Sequence, residues 1–310
     1  MGTASLSNNL SIRDRLRQRL SRPRSLLYMY ISPVTAVLII FFVVPTLIFF
    51  LNSFFVGHAF QIRRELTLEN YLYTLTSGVY RTVTINALFV GFLTATFSVL
   101  LAYPLAYFLA FKVRKGRNII LFLVVISLLS GYLVRVYAWR TFLGKQGIIN
   151  TFLLWIGVID EPLLFLLFSR LAVIITLTNI FVPFTVLPIL ASLANISTDL
   201  IEAARDLGAK PFTAFIKVTL PLSLTGVVSG FVYTFVLSSW DYITPELVGG
   251  NTGMMIGRSI ADQFVRVGNW PRGSSISFVV LGIFVLLFLI TRIARKLLRR
   301  KPRRNVEASP

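Results

Sequence analysis

Trp240, Asp241, Tyr242 and Glu246 set two carboxylates among two aromatic rings within one short stretch. A carboxylate holds a cationic group by charge-assisted hydrogen bonds, and an aromatic face adds cation–π attraction. Together they could bind an extended cation. Further acids, Glu65, Glu69, Asp160, Glu161 and Asp262, are spread through the polar segments with Arg135, Arg140, Arg170, Arg258, Arg266 and Arg272. Those arginines would suit an anion, pair with the acids, or meet an acidic partner, so charge alone does not select the ligand. Covalent and metal chemistry find less material. The chain has no cysteine and a single histidine, His58 in "FFVGHAF". Thiolate chemistry, a multi-histidine metal site and a histidine proton relay are therefore excluded. No GxxxxGK[ST] stretch is present, so no phosphate-binding loop of that type exists here. No residue is placed as catalytic and none as a metal ligand; the chain reads as a non-enzyme.

The elements that must position these residues are set by hydrophobicity. Of 310 residues, 55% are hydrophobic and 14% charged, with a mean hydropathy of +0.77. Soluble domains are about a quarter charged, so the apolar excess belongs in lipid. Uncharged runs near 27–51, 84–111, 118–136, 171–193, 222–245 and 275–291 predict six transmembrane helices and an all-α integral membrane protein. The run 147–159 is too short to span and is expected to be interfacial or re-entrant. Span five is expected to end where Pro245 breaks it, which puts Asp241 and Glu246 at its end. Two readings of these acids stay open: they line a solute path, or they are solvated.

Charge orients the bundle. With six spans, both termini and the loops 112–117 and 194–221 share one face, and 21 of the 31 Lys and Arg residues lie there. The positive-inside rule makes that face cytoplasmic. The net charge of +19 is thus an orientation signal with affinity for anionic lipid, not a sign of nucleic-acid binding. Three regions follow: a basic cytoplasmic segment 1–25, a membrane domain 26–295, and a basic cytoplasmic tail 296–310.

One cytoplasmic segment is unusually structured. In "EAARDLGAKPFTAFIKVTLP" (202–221), Ser197, Thr198 or Asp199 can cap a helix from Leu200, with Glu202 completing a capping box to Asp199. Gly208 suits the left-handed residue after that helix, Pro211 the first turn of a second, and Pro221 the start of span five. The prediction is a helix–turn–helix elbow over 199–221, with Ala203 and Ala204 leaving room for close approach by another protein.

Glu202, Ala203, Ala204, Gly208, Leu220 and Pro221 at this spacing resemble the EAA loop of ATP-binding-cassette importer permeases, with Val218 where the family usually has Ile. The segments "TLENY" (67–71), "RVYAWRTFLGKQGIIN" (135–150) and "WDYITPELVGGNTGMMIGRSIADQFVRVGNWPRGSSIS" (240–277) are similar to the spermidine/putrescine permeases of that class. The resemblance implies a type I importer fold and a multi-pass protein of the bacterial inner membrane. It implies one permease of a complex with a second permease, two ATPase subunits and an extracytoplasmic binding protein, the second permease often being a different chain. ATP and Mg would reside on the ATPases, with no cofactor on this chain. The EAA loop would dock on an ATPase and couple its closure to the membrane helices. An importer permease for another small solute, such as an amino-acid-like amine, is the alternative, and a secondary transporter the more distant one.

Overall fold

Apolar runs cross lipid as helices, because no water is available there to satisfy open backbone groups. The computed structural model describes residues 23–58, 60–113 and 115–299, so the segments expected at 1–25 and 296–310 fall largely outside the described residues. Among the described residues, five helices are long and apolar enough to cross a membrane: Tyr30–Asn52, Gly78–Phe111, Arg170–Ala194, Pro211–Ser239 and Trp270–Ile290. Counted as one span, the bent pair Arg117–Leu129 and Tyr132–Trp155 makes a sixth.

In chain order, α1 (Pro23–Leu38) and α2 (Val44–Asn52) form span one, joined by a π-helical turn, Ile39–Val43. A hairpin follows, β1 (Phe55–His58) paired antiparallel with β2 (Gln61–Leu66), the only strands among the described residues. A short helix, α3 (Glu69–Thr76), leads into α4 (Gly78–Phe111), span two. Span three was expected to be continuous over 118–136, but it breaks: α5 (Arg117–Leu129) ends at Ser130 and Gly131, and α6 (Tyr132–Leu143) leaves at 93°. Thirteen residues of α5 reach only about 20 Å at 1.5 Å per residue, short of a bilayer core of about 30 Å. α7 (Ile148–Trp155) then covers the short apolar run read as interfacial or re-entrant.

Spans four, five and six are α8 (Arg170–Ala194), α11 (Leu220–Ser239) and α13 (Trp270–Arg299). Between α8 and α11 stand α9 (Thr198–Asp206) and α10 (Pro211–Ala214), and between α11 and α13 lies α12 (Ile256–Val265).

The centre is a three-helix contact of α4, α8 and α11. Close approach depends on small residues, as membrane helix packing requires. Gly226 and Gly230 of α11, four apart, face Pro188, Ser192 and Thr185 of α8. A Cβ at Gly226 would collide with the Pro188 carbonyl. Polar ties add to this: the Thr185 and Thr234 hydroxyls meet at 2.8 Å between α8 and α11, and Tyr103 of α4 meets Ser223 of α11 at 2.9 Å. Span one is peripheral: 0% of its apolar stretch is buried, against 61% for that of α8.

Candidate functional site

At the α8–α11 connection the elbow forms with one change at its start. The helix begins at Thr198, two residues before Leu200, because Ser197 is extended and its hydroxyl accepts the Asp199 N–H at 3.2 Å. No Asp199–Glu202 capping box is needed. Asp199 stands instead in the first turn and Arg205 in the last, each favoured by the helix dipole.

The end of α9 is closed by Gly208 at φ +82°. The Gly208 N–H donates to the Arg205 carbonyl at 2.8 Å and the Ala209 N–H to the Ala204 carbonyl at 3.0 Å. These are the two bonds of a Schellman stop. Pro211 opens α10 at its first turn. Pro221 does not start span five afresh. α10 continues through a π-helical turn, Phe215–Thr219, into α11, so elbow and span form one continuous run, Pro211–Ser239. A proline ring clashes with the carbonyl four residues back and offers no N–H; a π turn removes the conflict, and the Leu220 N–H reaches back to Phe215. The same device precedes Pro45, where the Val44 N–H donates to Ile39. Glu202, Ala203, Gly208 and Pro221 are exposed, and Ala204 and Leu220 half-buried. Beside them Leu207 and Phe212 stand 90% and 73% exposed, an apolar edge on a polar helix pair.

At the opposite end of α11, the four residues quoted first do not share one pocket. α11 stops at Ser239, before Pro245, and Pro245 opens a π turn (Pro245–Gly249) instead of breaking the span. Asp241 makes this stop: its Oδ2 accepts the Thr244 N–H at 3.0 Å, and its Oδ1 accepts the Tyr132 hydroxyl at 2.6 Å. Glu246 points elsewhere and pairs with Arg258 and Arg266, each at 2.6 Å. Asp262 adds a contact to Arg266 at 3.1 Å, so α12 and the π turn are joined by a four-charge network. Trp240 packs against Phe284 of α13, while Tyr242 is half exposed.

The basic residues also find local partners. Arg135 turns inward, where its guanidinium donates to the carbonyls of Ser127, Ser130 and Ile180. Two of these carbonyls, of Ser127 and Ser130, are ones that the break in span three sets free, and the third belongs to α8. Arg272 lies 4.4 Å from the Tyr73 ring, Arg170 5.3 Å from Phe89 and Arg140 5.9 Å from Phe168.

Residue-by-residue reading of the sequence missed the asparagines. Asn70 donates to the Ser53 and Phe55 carbonyls, and Asn86 to those of Thr252 and Met254. Asn150 bridges the Gly144 carbonyl and the Leu163 N–H; Asn269 bridges the Gly57 carbonyl and the Arg272 N–H. All four are buried and tie loops on the side opposite the elbow. Three of them sit in stretches already quoted, "TLENY", "GIIN" and "VGNWP", where an amide among apolar neighbours is the available signal.

This arrangement has known relatives. Residues 102–304 match the family "Binding-protein-dependent transport system inner membrane component". The spermidine/putrescine transport system permease protein PotB of Salmonella typhimurium is 34% identical over 85% of this chain and 92% of its own length. PotB of Escherichia coli K12 is 33% identical over 85% and 96%. YdcU, an inner membrane ABC transporter permease of Escherichia coli K12, is 30% identical over 74% and 76%. In the solved structure of a bacterial ABC transporter that imports the acidic polysaccharide alginate, one chain superposes with a TM-score of 0.72 at 20% identity, over 93% of this chain and 100% of that one. That likeness extends the match in fold to the helices that precede residue 102. A transport component and not an enzyme, this chain belongs to the family of binding-protein-dependent inner-membrane permeases of ATP-binding-cassette importers.

Proposed function

We propose that the chain is one permease of a polyamine importer, with both termini and the elbow on the cytoplasmic side. The observation that carries the coupling role is the exposed helix Thr198–Asp206, stopped by left-handed Gly208 and joined by a short turn to the run Pro211–Ser239, which passes through the π turn into span five. Force applied to it passes through that turn into a run that ends at Ser239, two residues before Asp241. Glu202, Ala203, Ala204, Gly208, Leu220 and Pro221 form the contact with an ATPase subunit, of which the complex has two, and a second permease completes the path. The extracytoplasmic binding protein delivers the solute. ATP binding closes the ATPases against the elbow and reorients the helices, and hydrolysis resets them.

The polyamine assignment is supported by the PotB relatives, which align over most of both chains. Trp240, Asp241, Tyr242 and Glu246 are the path residues of this reading. Their carboxylates now hold Tyr132, Arg258 and Arg266, so a cationic solute would compete with those partners as the outer end rearranges. The test is ATPase stimulation in the reconstituted complex with its binding protein across putrescine, spermidine, an amino acid and an inorganic anion. Stimulation by a polyamine is expected. Stimulation only by another solute would keep the coupling elbow and remove Asp241 and Glu246 from the path.

A further inference from the structure

The run Pro211–Ser239 leaves the elbow at one end, and Asp241 stands just past the other. Among the described residues Asp241 has no Lys or Arg within ion-pair distance, unlike Glu246 and Asp262. Hydrogen bonds hold its carboxylate instead. Oδ2 accepts the Thr244 N–H at 3.0 Å, and Oδ1 accepts the Tyr132 hydroxyl at 2.6 Å. With its proton on Asp241, the Tyr132 oxygen accepts from the Thr244 hydroxyl, 2.7 Å away. Thr244 belongs to the turn that Asp241 itself begins. Tyr132 does not: it is the first residue of α6, directly after the break in span three.

That break is a two-residue joint. Ser130 and Gly131 are both extended, at ψ 132° and 130°, and lie outside the helical ladders of α5 and α6. A Cβ on Gly131 would meet nothing closer than Val134, at an ordinary 3.5 Å, so no neighbour wedges the joint there. Arg135 clamps it from within, through the carbonyls of Ser127 and Ser130 and of Ile180 in α8. None of those groups belongs to the run that the elbow moves. Tyr132 supplies the directional tie to that run. The apolar packing of α6 on the π turn Pro245–Gly249 tolerates a small slide, whereas a hydroxyl must stay within reach of its carboxylate. Loss of a hydrogen bond to a charged acceptor shifts a two-state equilibrium about tenfold or more.

We propose that Tyr132 is a positioning residue for transport: its hydroxyl, on Asp241, latches the joint of span three to the far end of the elbow run and holds the resting arrangement until the elbow moves. When the run shifts, the bond breaks and the joint is free to change its angle. The inference rests on the coupling role proposed for the elbow and on nothing about the identity of the solute.

Two measurements on the reconstituted full complex test it. In the first, ATPase activity is read without solute. Tyr132→Phe keeps the ring and removes the latch, so the basal rate should rise about threefold or more as the resting arrangement loses its advantage. Asp241→Asn should raise it too, and the double variant no further than the larger single effect, because both remove one contact. An unchanged or lower basal rate in an assembled complex would overturn the proposal, as would additive effects. In the second, Tyr132→Cys/Thr244→Cys, in a chain that otherwise has no cysteine, is bridged by a reversible bifunctional thiosulfonate, which leaves Asp241 in place. Bridging should abolish solute-stimulated ATPase, and a reductant should restore it; a bridged complex that is stimulated as before refutes the latch. If another solute drives the ATPase, the polyamine reading fails while both results stand. If Gly208→Val couples normally, the elbow reading fails whatever Tyr132 does.

Discussion

Gly208 shows how one residue can be both cheap to pack and costly to replace. Nothing lies within 4 Å of a Cβ built there, so a substitution pays no steric cost, only that of the left-handed backbone. For an alanine that cost is about 1 kcal/mol, less for asparagine, and more for a β-branched residue. Coupling should follow the same order: Gly208→Asn nearest wild type, Gly208→Ala weaker, Gly208→Val weakest, with membrane insertion equal throughout. Solute-stimulated ATPase and transport in vesicles check this. Equal activity across the series would show that the left-handed stop does not matter for coupling. Asp241 makes the complementary point. Its type and its place near the end of span five were legible, but not its partners, because Tyr132 lies 109 positions away in sequence.

At the scale of elements, α8 and α11 pack through Gly226 and Gly230, which let the backbones meet without side chains between them. Gly226→Leu should therefore prevent assembly, since even a Cβ strikes backbone of α8 that cannot move aside. Gly282→Ala on α13, where nothing lies within 4 Å, should leave expression and thermal stability within about 0.5 kcal/mol of wild type. Size-exclusion profiles and melting curves in detergent distinguish the two. Normal assembly of Gly226→Leu would mean that the helices do not depend on this contact. Span three illustrates the limit of periodicity. The run 118–136 is uncharged almost throughout, and hydropathy does not register that Ser130 and Gly131 turn the backbone by 93°. Arg135, three carbonyls around it, is the residue that makes such a turn tolerable.

For the whole molecule, orientation is the property on which the functional reading depends. The absence of cysteine makes it directly measurable. Asp206→Cys should react with a membrane-impermeant maleimide only when the cytoplasmic face is accessible, and Glu161→Cys only from outside. Reversed labelling would turn the elbow away from any cytoplasmic ATPase. The same frame explains the large exposed apolar area of span one, whose residues Phe41 and Phe42 are 76% and 69% exposed in the isolated chain. In lipid such exposure carries no hydrophobic penalty.

The sequence by itself determined the helical membrane class, the number of apolar runs, the asymmetry of charge and the elbow between spans four and five. Each rests on local composition or on spacings shorter than one helix: lipid demands long uncharged runs, and a left-handed stop demands glycine in place. Tertiary structure alone decided what the polar residues do. It sent Asp241 to Tyr132, Glu246 to Arg258 and Arg266, Arg135 to carbonyls of the broken span and of α8, and Asn86 and Asn269 to backbone distant in sequence. Among the described residues it also left Arg81 and Arg170 without acids. A charge at the end of a span has the same local signature whether it is solvated, paired or waiting for a partner. Only the packing of helices brings the second group within hydrogen-bond reach, or fails to.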